Sequence, residues 1–527
     1  MELFAAFDSD GYKLGHAEMY ANCTTKVYSN LTPRSDKIHR TKSTRYYDGK
    51  LIWIGGQGAT REIYEKWQRF FAMPKAEAVA EFTEYVDMYL GEGVVPSFRL
   101  AQLHDLGYLP LEIKTLDEGT KVPMGVPVLT ITNTVGHAFW LVNFLETLTS
   151  SLTWKTPTNC TIAGEYKAML KDFAVRTGCD LAGVMFQAHD FSARGMSGPE
   201  DAARSGLAHI AHFLGTDTLS AIQYARKYYG ATGFVAASVP ATEHAVSSNN
   251  ILSIEQALLA GEYEFHTDEQ RAIFNEMRKD GHVLRLIAEA MFMYTLIMVK
   301  FPTGIVSYVA DTYDFWAVLT IILPYLKKAI LRRQANATTP GKLVIRPDSG
   351  NPVHIVCGDP DAEPGSPEFK GAIEVLYEIF GGEVTSTGHK LLDSHIGLIY
   401  GDSITPVRCL AILEGLEAKG FASGNVVFGV GSYTYQCNTR DTFGFAVKAT
   451  YSVVNGKPVN IFKDPKTDQK KKSARGLLMV EEGDNGDLIL IDQVQPESEQ
   501  AGLLRTRFKD GVFYNQVTLD EIRARLA

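Results

Sequence analysis

Apolar runs of strand length recur through the middle of the chain, and each breaks at charged residues or glycines before a helix-like segment begins. Leu181–Met185 leads into His189, Asp190, Phe191 and Arg194, and Gly233–Val239 into Glu243 and His244. Gly304–Ala310 leads into Asp311, and Leu343–Ile345 into Arg346 and Asp348. Ile396–Tyr400 leads into Gly401-Asp402, and Val426–Phe428 into Gly429-Val430-Gly431. Strands that alternate with helices predict a parallel α/β architecture. Polar residues placed just after the strands suit a β/α barrel with its site at the C-terminal face, although an open doubly wound sheet gives a similar pattern.

The two flanks read differently. Residues 105–134 carry alternating stretches such as Leu111-Glu112-Ile113-Lys114 and Val128-Leu129-Thr130-Ile131. The tail has Gly444–Val454 and Leu488–Ile491, with Asn455-Gly456 as a hairpin turn signal. These segments predict antiparallel strands, and both ends are expected to combine into an α+β domain. The boundaries expected are 1–154 for its N-terminal part, 155–428 for the barrel and 429–527 for its C-terminal part, with a helical insertion at about 250–300. The most apolar windows, about 286–299 and 315–323, predict buried helices. The first contains Glu289 and the second stops short at Pro324.

Composition adds limits rather than detail. With 527 residues, 45% hydrophobic and 21% charged, the chain can bury more than one core. A formal charge of -9 argues against broad nucleic-acid binding but permits a local cationic pocket. The six cysteines show no CxxC or metal-ligand spacing, and the first residues lack a basic segment followed by an apolar one. A cytoplasmic protein with reduced thiols, no nucleic-acid partner and no membrane segment is expected.

The strongest local chemistry is Leu343–Pro352, where a strand delivers Arg346 and Asp348 and Ser349-Gly350-Asn351-Pro352 turns the backbone. It is open to two readings: an ion pair capping the strand, or an arginine for phosphate with an aspartate for ribose hydroxyls or a metal-bound diphosphate. Gly429-Val430-Gly431-Ser432 with Arg440 reads as a phosphate cradle or as a plain tight turn. Asp311 and Asp402 read as helix N-caps or as ligands for a sugar and Mg²⁺. His244 reads as structural, or as a base, phosphate ligand or phosphorylation site, and Tyr12 has no chemical reading of its own. The Walker loop, HExxH and GxSxG signatures are absent.

In order along the chain, DGYKLGH (Asp10–His16), KVYS (Lys26–Ser29), LPLEIK (Leu109–Lys114), HDFSARG (His189–Gly195), GTDT (Gly215–Thr218), SVPATEH (Ser238–His244), ADTYD (Ala310–Asp314), IRPDSGNP (Ile345–Pro352), Gly401-Asp402 and NIFKDP (Asn460–Pro465) closely resemble the nicotinamide phosphoribosyltransferases. The resemblance implies a type II phosphoribosyltransferase fold, with an irregular β/α barrel and a second α+β domain. It implies a homodimer whose two sites lie at the subunit interface. The implied reaction joins nicotinamide to phosphoribosyl pyrophosphate, with Mg²⁺, giving nicotinamide mononucleotide and pyrophosphate for NAD salvage. By the same resemblance Phe191 stacks on the pyridine ring, and Tyr12 of the other subunit covers its far face. Asp217 accepts from the carboxamide, while Arg194, Ser238 and Val239 line that pocket. Arg346, Asp348, Gly401 and Asp402 hold the ribose and its phosphates. Gly431, Ser432, Arg440, Lys448 and Lys463 serve the anionic groups. His244, Asp311 and Asp348 are the implied catalytic set, and His244 matches a histidine that ATP phosphorylates, making ATP an activator. No direct metal ligand is assigned.

Two features depart from the family pattern. Ser432 stands where the family has a further glycine. The stretch between His244 and Asp311 exceeds that of the animal enzymes by roughly two or three helices of about 10–14 residues each. Two other functions fit the same scaffold: a nicotinate phosphoribosyltransferase, which Asp217 and Phe191 disfavour, and a non-catalytic dimeric signalling or scaffold protein, which the full set of charged site residues disfavours.

Overall fold

The computed structural model describes residues 4–401, 403–463 and 474–527. Six short strands form one parallel sheet in sequence order: Ala188–Asp190, Gly215–Thr216, Ile305–Val309, Lys342–Arg346, Ile396–Tyr400 and Val426–Val430. The last strand pairs with the first, Phe428 opposite Ala188 and Val430 opposite Asp190, so the sheet curls back on itself. The remaining gap, between Gly215–Thr216 and Ile305–Val309, is bridged by residues 237–242. Ala237 exchanges backbone hydrogen bonds with Leu214 and Thr216, whereas Pro240 and Thr242 bond to Ser307. The result is a barrel with one irregular wall, packed against its helices through side chains such as Val306, Tyr308, Leu343, Ile345, Leu398 and Phe428, all at most 1% exposed. Burial of each contributes about 1.5–3 kcal/mol.

Two of the expected strands are otherwise. Leu181–Phe186 is a 3₁₀ turn capped by the Asp180 side chain on Ala182 N, and only Val184 in it is buried, so the strand begins later, at Ala188. Gly233–Val239 is not a continuous strand. Its ladder bonds divide between two neighbours, and Pro240 has no N–H with which to carry either ladder onward.

Strands from both ends of the chain meet in a seven-stranded antiparallel sheet. Its order is Lys457–Asn460, Ala446–Val454, Thr24–Thr32, Leu129–Asn133, Leu111–Thr115, Arg505–Lys509 and Val512–Phe513. Asn455 and Gly456, both at positive φ (52° and 72°), make the tight turn joining the first two of these. This sheet packs on its own apolar core, separate from that of the barrel, around Trp53, Trp67, Phe70, Leu111 and Phe445.

The insertion is helical, as expected: His244–Ala260, Asp268–Lys279 and Leu284–Thr295. The two apolar windows are buried, and among the described residues no helix is long and apolar enough to cross a membrane. Glu289, on the last of these helices, receives a hydrogen bond from Tyr308 of the barrel wall (2.8 Å). Burial raises its pKa to about 7 despite that bond. A carboxyl whose folded pKa lies above its unfolded value stabilises fully below the unfolded pKa, and this contribution fades as pH rises through about 7. Glu289→Gln is therefore expected to raise the thermal midpoint relative to the parent chain at pH 8 and to leave it nearly unchanged at pH 5. Equal shifts at both pH values would refute this.

Candidate active site

The barrel brings the sequence-predicted residues together at the C-terminal ends of its strands, in two adjoining corners. In the first, the strand Lys342–Arg346 ends at Arg346, whose Nε lies 3.3 Å from Asp348 Oδ1. The turn that follows is held from two sides. Asp311 Oδ2 accepts from Asp348 N (3.0 Å), Ser349 N (2.9 Å) and Ser349 Oγ (2.6 Å). Tyr400 Oη donates to the carbonyls of Ser349 and Gly350, each at 3.0 Å. Asp311 thus anchors this turn through Oδ2 rather than capping a helix, and its side chain is only 5% exposed. Its second oxygen, Oδ1, has no hydrogen-bond partner and faces His244 Nε2 at 3.7 Å. His244 opens the helix His244–Ala260, contacts Thr312 Oγ1 through Nδ1 (3.3 Å) and lies 3.9 Å from Asp348 Oδ2.

The bare Cα of Gly401 closes this corner. A Cβ there would stand 2.2 Å from Asp348 Oδ1 and 3.2 Å from Arg346 Cδ, so any side chain would displace the pair. Asp402 lies outside the described residues.

The second corner is built on the neighbouring strands Ala188–Asp190, Gly215–Thr216 and Val426–Val430. His189 Nε2 donates to Asp217 Oδ1 at 2.8 Å, and the Ser238 hydroxyl donates to the same oxygen. Burial pushes the Asp217 carboxyl up, but these two bonds and the attraction of His189 and Arg346 outweigh it and hold the pKa below the usual range. No hydrogen bond from a described residue reaches Oδ2. The Phe191 ring lies beside His189, with centroids 4.6 Å apart, and passes over Gly429, where a Cβ would come within 2.9 Å of Phe191 Cδ2 and of Gly401 Cα. Gly429 therefore joins the two corners. Arg194 is exposed in the loop after Phe191, and Val239 lies beside Ser238 on the irregular wall. Their placement suits a flat polar ligand between Phe191 and Asp217, next to a phosphate held by Arg346.

Other predicted residues stand further out. Gly431 caps the short helix Ser432–Gln436, and Ser432 packs on Gly195, whose added Cβ would lie 2.2 Å from Ser432 Oγ. Arg440 is exposed and pairs with Asp441 at 3.5 Å. Lys448 projects from the strand Ala446–Val454, and Lys463 is exposed at the last described position before a break. Tyr12 is 64% exposed in an N-terminal turn, with ring contacts to His16 and Lys13. Sequence reasoning named His189 and Gly429 at strand ends without the contacts they make here, and did not single out Tyr400. A histidine two residues before Phe191 was visible in HDFSARG, but its aim at Asp217 depends on the pairing of two strands.

A sequence model of the nicotinate phosphoribosyltransferase (NAPRTase) family matches residues 186–512. The chain is 48% identical over 521 residues to a nicotinamide phosphoribosyltransferase of Acinetobacter baylyi, covering 98% of this chain and 96% of that one. It is 32% identical over 500 residues to the nicotinamide phosphoribosyltransferase of Mycoplasma pneumoniae, covering 92% and 96%. Among solved structures it is similar in fold to human nicotinic acid phosphoribosyltransferase, with TM-score 0.57, 15% identity and coverage of 98% and 92%. Nicotinate-nucleotide pyrophosphorylase from Pyrococcus furiosus gives TM-score 0.53 at 14% identity, covering 100% and 95%. The architecture is that of the type II phosphoribosyltransferases. The chain belongs to the nicotinate phosphoribosyltransferase family and, within it, groups with the nicotinamide phosphoribosyltransferases.

Proposed function

We propose that the protein is a nicotinamide phosphoribosyltransferase, joining nicotinamide to C1 of phosphoribosyl pyrophosphate with release of pyrophosphate, a step of NAD salvage. The observation that carries this reading is the Asp217 carboxylate beside Phe191, held ionised with Oδ2 open and within electrostatic reach of Arg346. The pyridine nitrogen is a neutral nucleophile, so the chemistry needs alignment and stabilisation of the departing diphosphate rather than a strong base. As the C1–O bond breaks, the electron pair leaves with pyrophosphate and the ring nitrogen becomes cationic. Phe191 stacks on the ring, and Asp217 Oδ2 accepts from the amide N–H. Arg194, Ser238 and Val239 complete that pocket. Arg346, Asp348, Gly401 and Asp402 take the ribose and its phosphates, and Gly431, Ser432, Arg440, Lys448 and Lys463 the remaining anionic groups.

Among the described residues no group of three or more His, Cys, Asp or Glu is arranged to hold a metal. Asp311 Oδ1, buried and without a hydrogen-bond partner among the described residues, and the neighbouring Asp348 would be the residues to hold a Mg²⁺. Mg²⁺ would supply charge neutralisation of the leaving group. His244, partly exposed at a helix start and facing Asp311 and Asp348, is placed to receive a phosphoryl group from ATP as an activating step.

A homodimer is part of this reading. Tyr12 is exposed beside Gly11, on which Tyr89 packs, and Met19, Tyr85, Met88 and Phe98 are further exposed apolar side chains of the N-terminal hundred residues. Such exposure supports a self-complementary interface that carries Tyr12 to the other subunit's Phe191. Six free cysteines support a cytoplasmic, reducing location.

The function is tested by mixing the protein with Mg²⁺, phosphoribosyl pyrophosphate and nicotinamide, with and without ATP, and analysing the products. Absence of nicotinamide mononucleotide in both mixtures would overturn it. For the shared site, Tyr12→Ala and Arg346→Ala are each expected to be nearly inactive alone. Dissociated and re-mixed in equal amounts, they should regain about a quarter of parental activity, since half the dimers are mixed and each then has one intact site. No recovery places Tyr12 in its own subunit's site.

A further inference from the structure

A second cavity lies away from the strand ends, between the barrel helix Lys155–Thr177 and the antiparallel domain. It has a volume of about 620 Å³, and none of the candidate active-site residues lines it. Its floor is a face of that helix carrying Gly164, Lys167, Ala168 and Lys171. Lys50, Lys121 and Arg525 bring its cationic side chains to five, against the carboxylates of Asp48 and Glu165, in a chain whose formal charge is -9.

Most of these charges are already committed, and the exceptions matter. Lys121 pairs with Asp48 (2.6 Å), Lys50 with Asp487, and Glu165 Oε1 accepts from Thr44 N (2.5 Å) and Oγ1 (2.7 Å), while Arg525 donates to the Glu118 carbonyl (2.7 Å) with Asp117 at 4.0 Å. Lys167, although 94% buried by its 6% exposure, has only a long bond to the Leu526 carbonyl (3.4 Å), and among the described residues no carboxylate lies within ion-pair reach of it or of Lys171. Burial, followed by the charge of Lys171, lowers the Lys167 pKa. Two lysines four residues apart on one helix face repel each other unless an anion bridges them. His212, 2% exposed, also lines the cavity, with Nε2 3.3 Å from Cys160 Sγ. A buried lysine without a carboxylate partner beside a second, partly buried one, in a space of ligand size, favours an anion there.

We propose that this cavity binds a small polyphosphate-bearing molecule through Lys167, Lys171 and Arg525. Tyr46 and Tyr47 on its rim offer ring surface if the polyphosphate carries a nucleoside. The site is independent of the reaction assigned to the barrel.

The test is calorimetric titration of the full chain at low ionic strength with inorganic tripolyphosphate and, separately, with ATP. Two classes of site per chain are expected. Arg346→Ala should remove only the barrel class. Lys171→Glu should weaken only the other class by at least tenfold, and the neutral Lys171→Gln should weaken it less. Lys171 is only partly buried, so both variants should keep the parental thermal midpoint, which separates loss of charge from misfolding. Tighter binding of ATP than of tripolyphosphate at this class identifies a nucleotide ligand, and equal binding a polyphosphate without a base. A single class lost in Arg346→Ala, or a second class that Lys171→Glu leaves intact, would overturn the proposal.

Discussion

Asp311→Ala is expected to lower kcat/KM for phosphoribosyl pyrophosphate by about 10²–10³, although Asp311 Oδ2 is fully occupied by protein donors. The carboxylate receives the main-chain N–H groups of Asp348 and Ser349 and the Ser349 hydroxyl, which fixes the turn that aims Arg346 and Asp348. Without it Tyr400 still holds the carbonyls of Ser349 and Gly350, so the turn should persist but shift. A misplacement of about 1 Å in a positioning element costs on the order of 100-fold in rate. Charge-assisted hydrogen bonds lost from a mostly buried carboxylate also lower stability, by about 1.5–3 kcal/mol. Steady-state kinetics together with thermal unfolding check both parts. A variant within threefold of the parent in kcat/KM shows that the turn needs no anchor.

Asp217→Asn should move the choice between amide and acid by a similar factor. Two unit charges about 4 Å apart, at an effective dielectric constant near 20, repel by roughly 4 kcal/mol, a factor of about 10³ against nicotinate. Asparagine removes that repulsion, and its amide still offers an oxygen to His189 and Ser238. Competition between nicotinamide and nicotinate should show the preference for the amide falling by about 10²–10³, mostly through a gain in kcat/KM for the acid. Because the Asp217 pKa is held below the usual carboxylate range, the discrimination by the parent chain should persist on acidification until Asp217 protonates. An unchanged preference in the variant would locate the selection elsewhere.

The barrel was legible because most of its strands are apolar runs broken by the residues that make the site, a pattern that survives in one dimension; the two-residue strand Gly215–Thr216 carries no such run. The two failures share a cause. At Leu181–Phe186 and Gly233–Val239 the apolar count was right, but the backbone partners were not local: a side-chain cap diverted the first, and a ladder divided between two strands broke up the second. Among the site residues, types and order gave Arg346, Asp348, Phe191 and Asp217. Contacts across strands were invisible, so neither the donation from His189 to Asp217 nor the seating of Ser432 on Gly195 could be read in advance. The serine that replaces a family glycine has a glycine opposite it, which gives the departure a steric setting that the single loop did not show. For Asp311, the sequence predicted a position at a strand end, and only the fold distinguishes a residue that holds a turn from one that holds a ligand.

The irregular wall of the barrel has one more consequence. Ala237 is tied to one neighbouring strand and Thr242 to the other, while the N–H groups of Ser238 and Val239 take part in neither ladder. These two positions behave as a replaceable gasket: their side chains set the bore next to Asp217, yet exchanging them breaks no strand pairing. Substrate range can therefore drift, in evolution or by design, at this seam at little cost in folding, and a long insertion can begin a few residues later without disturbing the staves on either side.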